Sequence, residues 1–210
     1  MPKTTEKPLP AREKLIFAGV DLFRRHGYAP TPVDAICAAA GVSKGAFFHH
    51  FASKEALAEA CMDQWDDLMA GWDAGHAAAA DGADAVTILA TYMRRSTAFL
   101  ADPKTFASCL PGTTVQEISE SHPALRDRAN QCFTKAHERF QTLLAAAAIE
   151  KKTTVDTDAL AQLWIGTIQG ALILFKASHD VRVIDSNMSH VSKYILQQIG
   201  ATDVEEATKP

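Results

Sequence analysis

Along most of this chain apolar residues recur at spacings of three and four, and glycine, proline or capping residues part the runs. That period lines one face of a helix with apolar side chains. No segment shows the alternation of two that a half-buried strand needs. The fold class expected is all-α, with about nine helices. The first spans about Pro10 to His26 on Ile16, Val20 and Phe23, with Arg24, Arg25 and His26 complementing the dipole of its last turn and Gly27 stopping it. Thr31 is expected to cap a second, short helix with Pro32 at its first position, Ile36 and Ala40 inward, and Gly41 at its end. Ser43 caps a third, to about His49, and Ser53 a fourth whose apolar face is Leu57, Cys61, Trp65, Leu68 and Trp72.

After Asp81-Gly82 a fifth helix carries Val86, Leu89, Met93, Thr97 and Leu100 and ends at Asp102-Pro103. The stretch KTFASCLPGTT reads as irregular. A sixth helix covers about Thr113 to Ser119. A seventh starts at Pro123 with Leu125, Ala129, Phe133, Ala136, Phe140 and Leu144. The eighth, about Asp156 to Ser178, is the most apolar; Gln162, Gln169 and two glycines interrupt it, which predicts a buried helix and not a lipid-facing one. The ninth, about Asp185 to Ile199, carries Met188, Val191, Ile195 and Ile199, and Gly200 begins a polar tail.

The net charge of −4 over 210 residues is unevenly spread. Residues 1–55 hold eight Lys/Arg and five Asp/Glu, a balance of +3, and the remainder carries −7. A basic head on an acidic body suits a polyanionic partner at the head. No run of about 20 residues is uniformly apolar, so no membrane span is expected. The start, MPKTTEKPLPAREK, lacks the apolar stretch of an export signal. A cytoplasmic protein is therefore expected, with Cys37, Cys61, Cys109 and Cys132 as reduced thiols. No cysteine pair has C-x-x-C spacing, and neither metal nor cofactor is expected.

The segment AGVSKGAFFHHFASKEAL, Ala40 to Leu57, carries the most specific chemistry. A short helix, a tight glycine turn and a second short helix form a helix-turn-helix. Gly41 supplies a positive φ, and Cys37 is a small apolar residue where the two helices approach. The N-terminal residues of the second helix enter the major groove in such a motif. Here they are Ser43, Lys44, Gly45 and Ala46. Lys44 can neutralise a phosphate or reach a guanine edge, and Gly45 and Ala46 let the backbone come close. Phe47 is expected to turn inward and Phe51 to anchor the next turn. Phe48 and His49 are expected outside, Phe48 against a sugar or thymine methyl. Lys54, beside the free N–H groups of the fourth helix, is expected to clamp a phosphate.

From Arg12 to Leu57 the chain resembles the N-terminal domain of the TetR/AcrR family of transcriptional regulators. The resemblance rests on Phe23, Gly27-Tyr28, Thr31, Ile36, Ala40 to Gly45, His50-Phe51 and Ser53-Lys54-Glu55. It implies three DNA-binding helices, phosphate contacts from Thr31 and Lys54, and groove contacts from Ser43 to His49. Phe48 departs from the family's usual tyrosine and loses a hydroxyl contact. Cys37 stands for a common alanine, and Pro32 for serine or threonine. The organisation expected is a helix-turn-helix domain over 1–52, a ligand-binding and dimerisation domain over 53–200, and a flexible tail over 201–210.

A single head covers one half-site, so a homodimer on a palindromic double-stranded operator is expected. The eighth and ninth helices carry apolar groups beyond one inward stripe and are expected to pair as a four-helix bundle. In the middle helices Phe99, Phe106, Phe133, Phe140 and Trp164 are expected to line a cavity for a small, largely apolar effector. Cys109 lies off the helical apolar faces, with Lys176 or His137 as sources of a positive field that would activate its thiol. The stretch SCLPGTTVQEISESHPALRDR resembles the ligand domain of the family's NemR-like branch, which implies sensing of electrophiles or oxidants. Two alternatives stand beside the ligand-responsive repressor. A hydrolase or transferase using Cys109 and His137 lacks any local catalytic signature. A helical adaptor with a degenerate head is opposed by the intact Ser43-Lys44-Gly45 and Lys54. The reading is a regulator and not an enzyme.

Overall fold

The computed structural model describes residues 9–79, 82–102 and 108–201, with the backbone alone for 76–79. Among them are nine helices and no strand: α1 (Ala11–His26), α2 (Val33–Ala40), α3 (Lys44–His50), α4 (Lys54–Ala79), α5 (Ala85–Ala101), α6 (Leu110–Ile118), α7 (Pro123–Lys151), α8 (Thr157–Ser178) and α9 (Arg182–Ile199). Their ends follow from local chemistry. Ser43 accepts from the Ala46 N–H, Asp84 from Thr87 and Asp156 from Ala159, each satisfying an N–H left without a helical partner. Gly41 and Gly200 close α2 and α9 at φ +64° and +78°, a region where a Cβ is strained.

The chain divides into two compact units: Met1–Leu68 with Leu110–Ala129, and Met69–Cys109 with Asn130–Pro210. The first, the head, packs α1, α2, α3 and the start of α4 around fully buried Leu15, Phe23, Ile36, Phe47 and Leu57. Burying each such side chain contributes about 1.5–3 kcal/mol. α1 meets α4 at Gly19, where a Cβ would lie 2.7 Å from Cys61 Sγ. α6 and the start of α7 belong to this unit and add Leu110, Ile118 and Leu125 to its core. Arg128 of α7 joins Asp63 and Asp66 of α4 at 2.7 and 2.8 Å.

The second unit, the body, centres on Leu89, Met93, Phe140, Leu144, Trp164, Ile184, Met188 and Ile195. On α9 the buried positions Ile184, Met188, Val191, Ile195 and Ile199 recur every three or four residues, one stripe facing the core.

Several expectations change. α2 begins at Val33 with Pro32 as its cap residue, and Thr31 caps nothing. The Thr31 hydroxyl is buried and donates to the Gly27 carbonyl at 2.6 Å. α6 starts at Leu110, three residues before the expected Thr113, because Pro111 falls in a first turn where no N–H is needed. Leu68, placed on the inward face of α4, is exposed. α8 is not buried all round: its most apolar window is only 28% buried. By length and composition alone that helix suffices to cross a membrane, but Leu160, Ala161, Trp164, Ala171 and Leu172 are built into the body's core. Leu163, Ile173 and Leu174 face out, as do Val181 and Tyr194 around α9.

Candidate nucleic-acid interface and effector site

In the head the α2–α3 turn is set by Gly41, and the Val42 N–H donates back to the Cys37 carbonyl at 3.0 Å. Cys37 is buried, which pushes its thiol pKa up and makes it an inert packing residue. Phe47 is fully buried, with Phe48 edge-on to it at 5.1 Å and Phe51 tilted at 5.9 Å. This wedge holds α3 with Ser43, Lys44, Gly45, Phe48 and His49 outward and Ala46 half-buried behind them. Phe48 is 53% exposed. His49 and His50 stack edge-on at 4.9 Å at the far end of α3.

Two of the expected DNA-facing cations have partners inside the protein. Lys44 Nζ lies 2.9 Å from Asp34 Oδ1 on α2, and this hydrogen bond raises the lysine's pKa. Lys54 Nζ donates to the carbonyls of Tyr28, Ala29 and Thr31 at 2.8, 3.3 and 3.2 Å and rests 4.2 Å above the Tyr28 ring. An ammonium has three N–H groups, so its donors are occupied by the α1–α2 turn. Burial lowers its pKa, and the field of Glu117 opposes that shift.

Glu117 of α6 grips the same turn from the other polarity, accepting the Ala29 N–H at 2.6 Å. Gly27 must be glycine there: its φ is +95° and a Cβ would collide with Glu117 Oε1. Neither Asp34 nor Glu117 was marked by the sequence. Their partners are 10 and 88 residues away, and no helical period links them.

In the body, five rings form a continuous ladder. Phe99 lies 6.0 Å from Trp72, Trp72 5.2 Å from Tyr92, Tyr92 5.7 Å from Phe140, and Phe140 stacks on Trp164 at 4.9 Å. Sequence periodicity marked Phe99, Phe140 and Trp164 as lining residues but not Trp72 or Tyr92 in this role. Phe140 and Trp164 are core, and Phe133 is half-buried. Phe106 lies outside the described residues. Arg139 Nε sits 2.5 Å from Asp73 Oδ2, an ionic contact off the hydrogen-bonding direction. Burial first, and the Asp73 carboxylate second, push the Tyr92 phenol pKa up. An open groove of about 370 Å³ is bounded by Gly71, Trp72 and Gly75 of α4 and Arg95 and Ala98 of α5.

Cys109 precedes α6 and packs, half-buried, against the body's core. His137 faces Asp158, with Nε2 3.2 Å from the carboxylate. Lys176 is half-buried near the end of α8. Among the described residues no group of three His, Cys, Asp or Glu is placed to hold a metal.

A helix-turn-helix with an exposed recognition helix on an all-α body defines a DNA-binding transcriptional regulator of the ligand-responsive kind. Residues 15–61 match the family described as bacterial regulatory proteins, tetR family, and residues 85–191 match the tetracyclin repressor-like C-terminal domain. The chain belongs to the TetR family. It is 30% identical over 174 residues to the transcriptional regulator AcuR of Cereibacter sphaeroides, covering 79% of this chain and 76% of that one. It is 25% identical to the HTH-type transcriptional repressor DhaR of a Mycobacterium species, over 89% of this chain and 93% of that one. The crystal structure of a TetR transcriptional regulator from Chloroflexus aurantiacus superposes with a TM-score of 0.78 at 28% identity, covering 90% and 95% of the two chains. Reduced NemR of E. coli shares the fold, with a TM-score of 0.72 at 19% identity over 86% and 94%.

Proposed function

We propose that this protein is a homodimeric repressor, acting in the cytoplasm, whose heads read a palindromic operator and let go when a small molecule binds the body. The observation that carries it is the outward edge of α3, where Ser43, Lys44, Gly45, Phe48 and His49 stand in solvent on a buried aromatic wedge. Ala46 lets the backbone approach the bases. Thr31 and Lys54 act from behind: with the hydroxyl and ammonium turned onto the α1–α2 turn, they hold backbone groups where phosphates pass. Dimerisation uses the outer strips of α8 and α9, where Leu163, Ile173, Leu174 and Tyr194 are exposed. Two such helix pairs make a four-helix bundle.

The effector is small and largely apolar and packs against the aromatic ladder, with Phe99, Phe133 and Lys176 among its neighbours. A coupling of about 1–3 kcal/mol between effector and operator lowers DNA affinity roughly 5–150-fold. No catalytic step is assigned to Cys109 and His137, since the relatives the chain resembles are transcriptional regulators.

The test is binding to the protein's own upstream DNA across a salt series. Salt-sensitive binding that prefers this DNA over scrambled duplex supports the reading, and its absence overturns it. A second reading, thiol sensing, is favoured by one observation: Cys109 is half-buried while Cys37, Cys61 and Cys132 are buried. Cys109→Ser should abolish operator release by a thiol-reactive compound; release that persists excludes this trigger.

A further inference from the structure

We propose that Asp34 is a specificity-determining residue of the DNA-binding head: its carboxylate pairs with Lys44 and subtracts from the affinity the head has for DNA of any sequence. The inference rests on the DNA-binding reading above and goes beyond it, since Asp34 belongs to α2 and not to the recognition helix.

Lys44 is the first residue of α3, where a cation is disfavoured by the positive end of that helix's own dipole. Asp34 is the second residue of α2 and reaches across the turn to within 2.9 Å of Lys44 Nζ. The side chains are 58% and 70% exposed, so the pair adds little to the fold. Its consequence lies in recognition. A phosphate that takes Lys44 either displaces the carboxylate oxygen or uses another N–H of the ammonium and lies beside a second negative charge. On random DNA the exchange returns little. On an operator that offers Lys44 a guanine edge, the bidentate acceptor pair O6/N7 repays the exchange. Asp34 thus lowers the sequence-independent share of binding and leaves the base-directed share.

The test uses the full chain with Asp34→Asn, measured by fluorescence anisotropy on the protein's own upstream duplex and on a scrambled duplex of equal length and composition. Salt is varied over roughly 50–200 mM, where phosphate contacts dominate the response. Affinity for the scrambled duplex should rise roughly 3–10-fold and the slope of log affinity on log salt should steepen by about 1, one added phosphate contact. Affinity for the upstream duplex should rise less, so the ratio between the two falls. Asp34→Glu, which keeps the charge, should behave as wild type. In a Lys44→Ala background, Asp34→Asn should leave the salt slope unchanged. The proposal is overturned by an unchanged slope and unchanged scrambled-duplex affinity in Asp34→Asn. It is also overturned by an equal gain on both duplexes, or by the full effect persisting without Lys44. If wild-type protein binds neither duplex, the DNA-binding reading fails first and takes this one with it.

Discussion

Both units leave large apolar side chains in water, but in different company. On the head Phe48 stands among Ser43, Lys44, His49 and His50 on a helix of seven residues. On the body Leu163, Ile173 and Leu174 lie along α8, a helix of 22 residues, with Tyr194 on α9. A stable protein interface needs about 800 Å² from each partner, more than one short helix can present. The body's strip is long, and from Leu163 to Leu174 the sequence carries no charged residue. The head's patch is small and polar at its rim, with a lysine that pairs with Asp34. Apolar exposure alone therefore does not name a partner; the length of the patch and the charges around it do. Under the proposed function one surface suits a second copy of the chain and the other a nucleic acid.

The comparison can be broken or sharpened by substitution. The largest effect is expected from Trp164→Ala, which removes the buried end of the body's aromatic ladder and should cost about 3–5 kcal/mol in denaturant unfolding. A loss below about 1 kcal/mol would mean the ladder does not anchor this unit. Next, charging the outer strip with Ile173→Glu and Leu174→Glu together should weaken dimerisation at least roughly 100-fold, about 2.7 kcal/mol, in analytical ultracentrifugation. The same sedimentation as wild type at every concentration would remove the body's half of the contrast.

In the head, Lys44→Ala should reduce affinity for the upstream DNA about tenfold, since it removes the cation that reaches a guanine edge. Unchanged binding would show that the groove-facing element has been misassigned. The smallest effect belongs to Phe48→Ala: roughly threefold weaker DNA binding with an unaltered salt slope, since an apolar contact releases no counterions. If Phe48→Ala instead shifted the dimer equilibrium and left DNA binding intact, the two surfaces would have been assigned the wrong way round.

Much of this was legible in the residues. Ser43, Gly41, Gly200 and the apolar periods of α5, α7 and α9 act within a turn or two of chain, so their consequences can be read locally. The outward placement of Phe48 and the inward placement of Phe47 follow from the same period. Misreadings came where a local signal met a distant partner. Thr31 has the chemistry of a cap, yet its hydroxyl is captured by Gly27 in a turn that Lys54 and Glu117 hold from opposite sides. Leu68 fits the apolar period of α4 but faces solvent. Trp72 and Tyr92 gain meaning only when α5 lies beside α4 and closes the ring ladder.

By itself the sequence determined that the chain is helical, where most helices begin and end, and that on the short α3 Phe47 turns inward and Phe48 outward. Tertiary structure alone decided which charges are spoken for: Lys44 by Asp34, Lys54 by three carbonyls, and the Ala29 N–H by Glu117. The reason is one of range. Helical periodicity and capping act over about four residues, whereas an ion pair or hydrogen bond requires only that two groups meet in space, and chain separation says nothing about that.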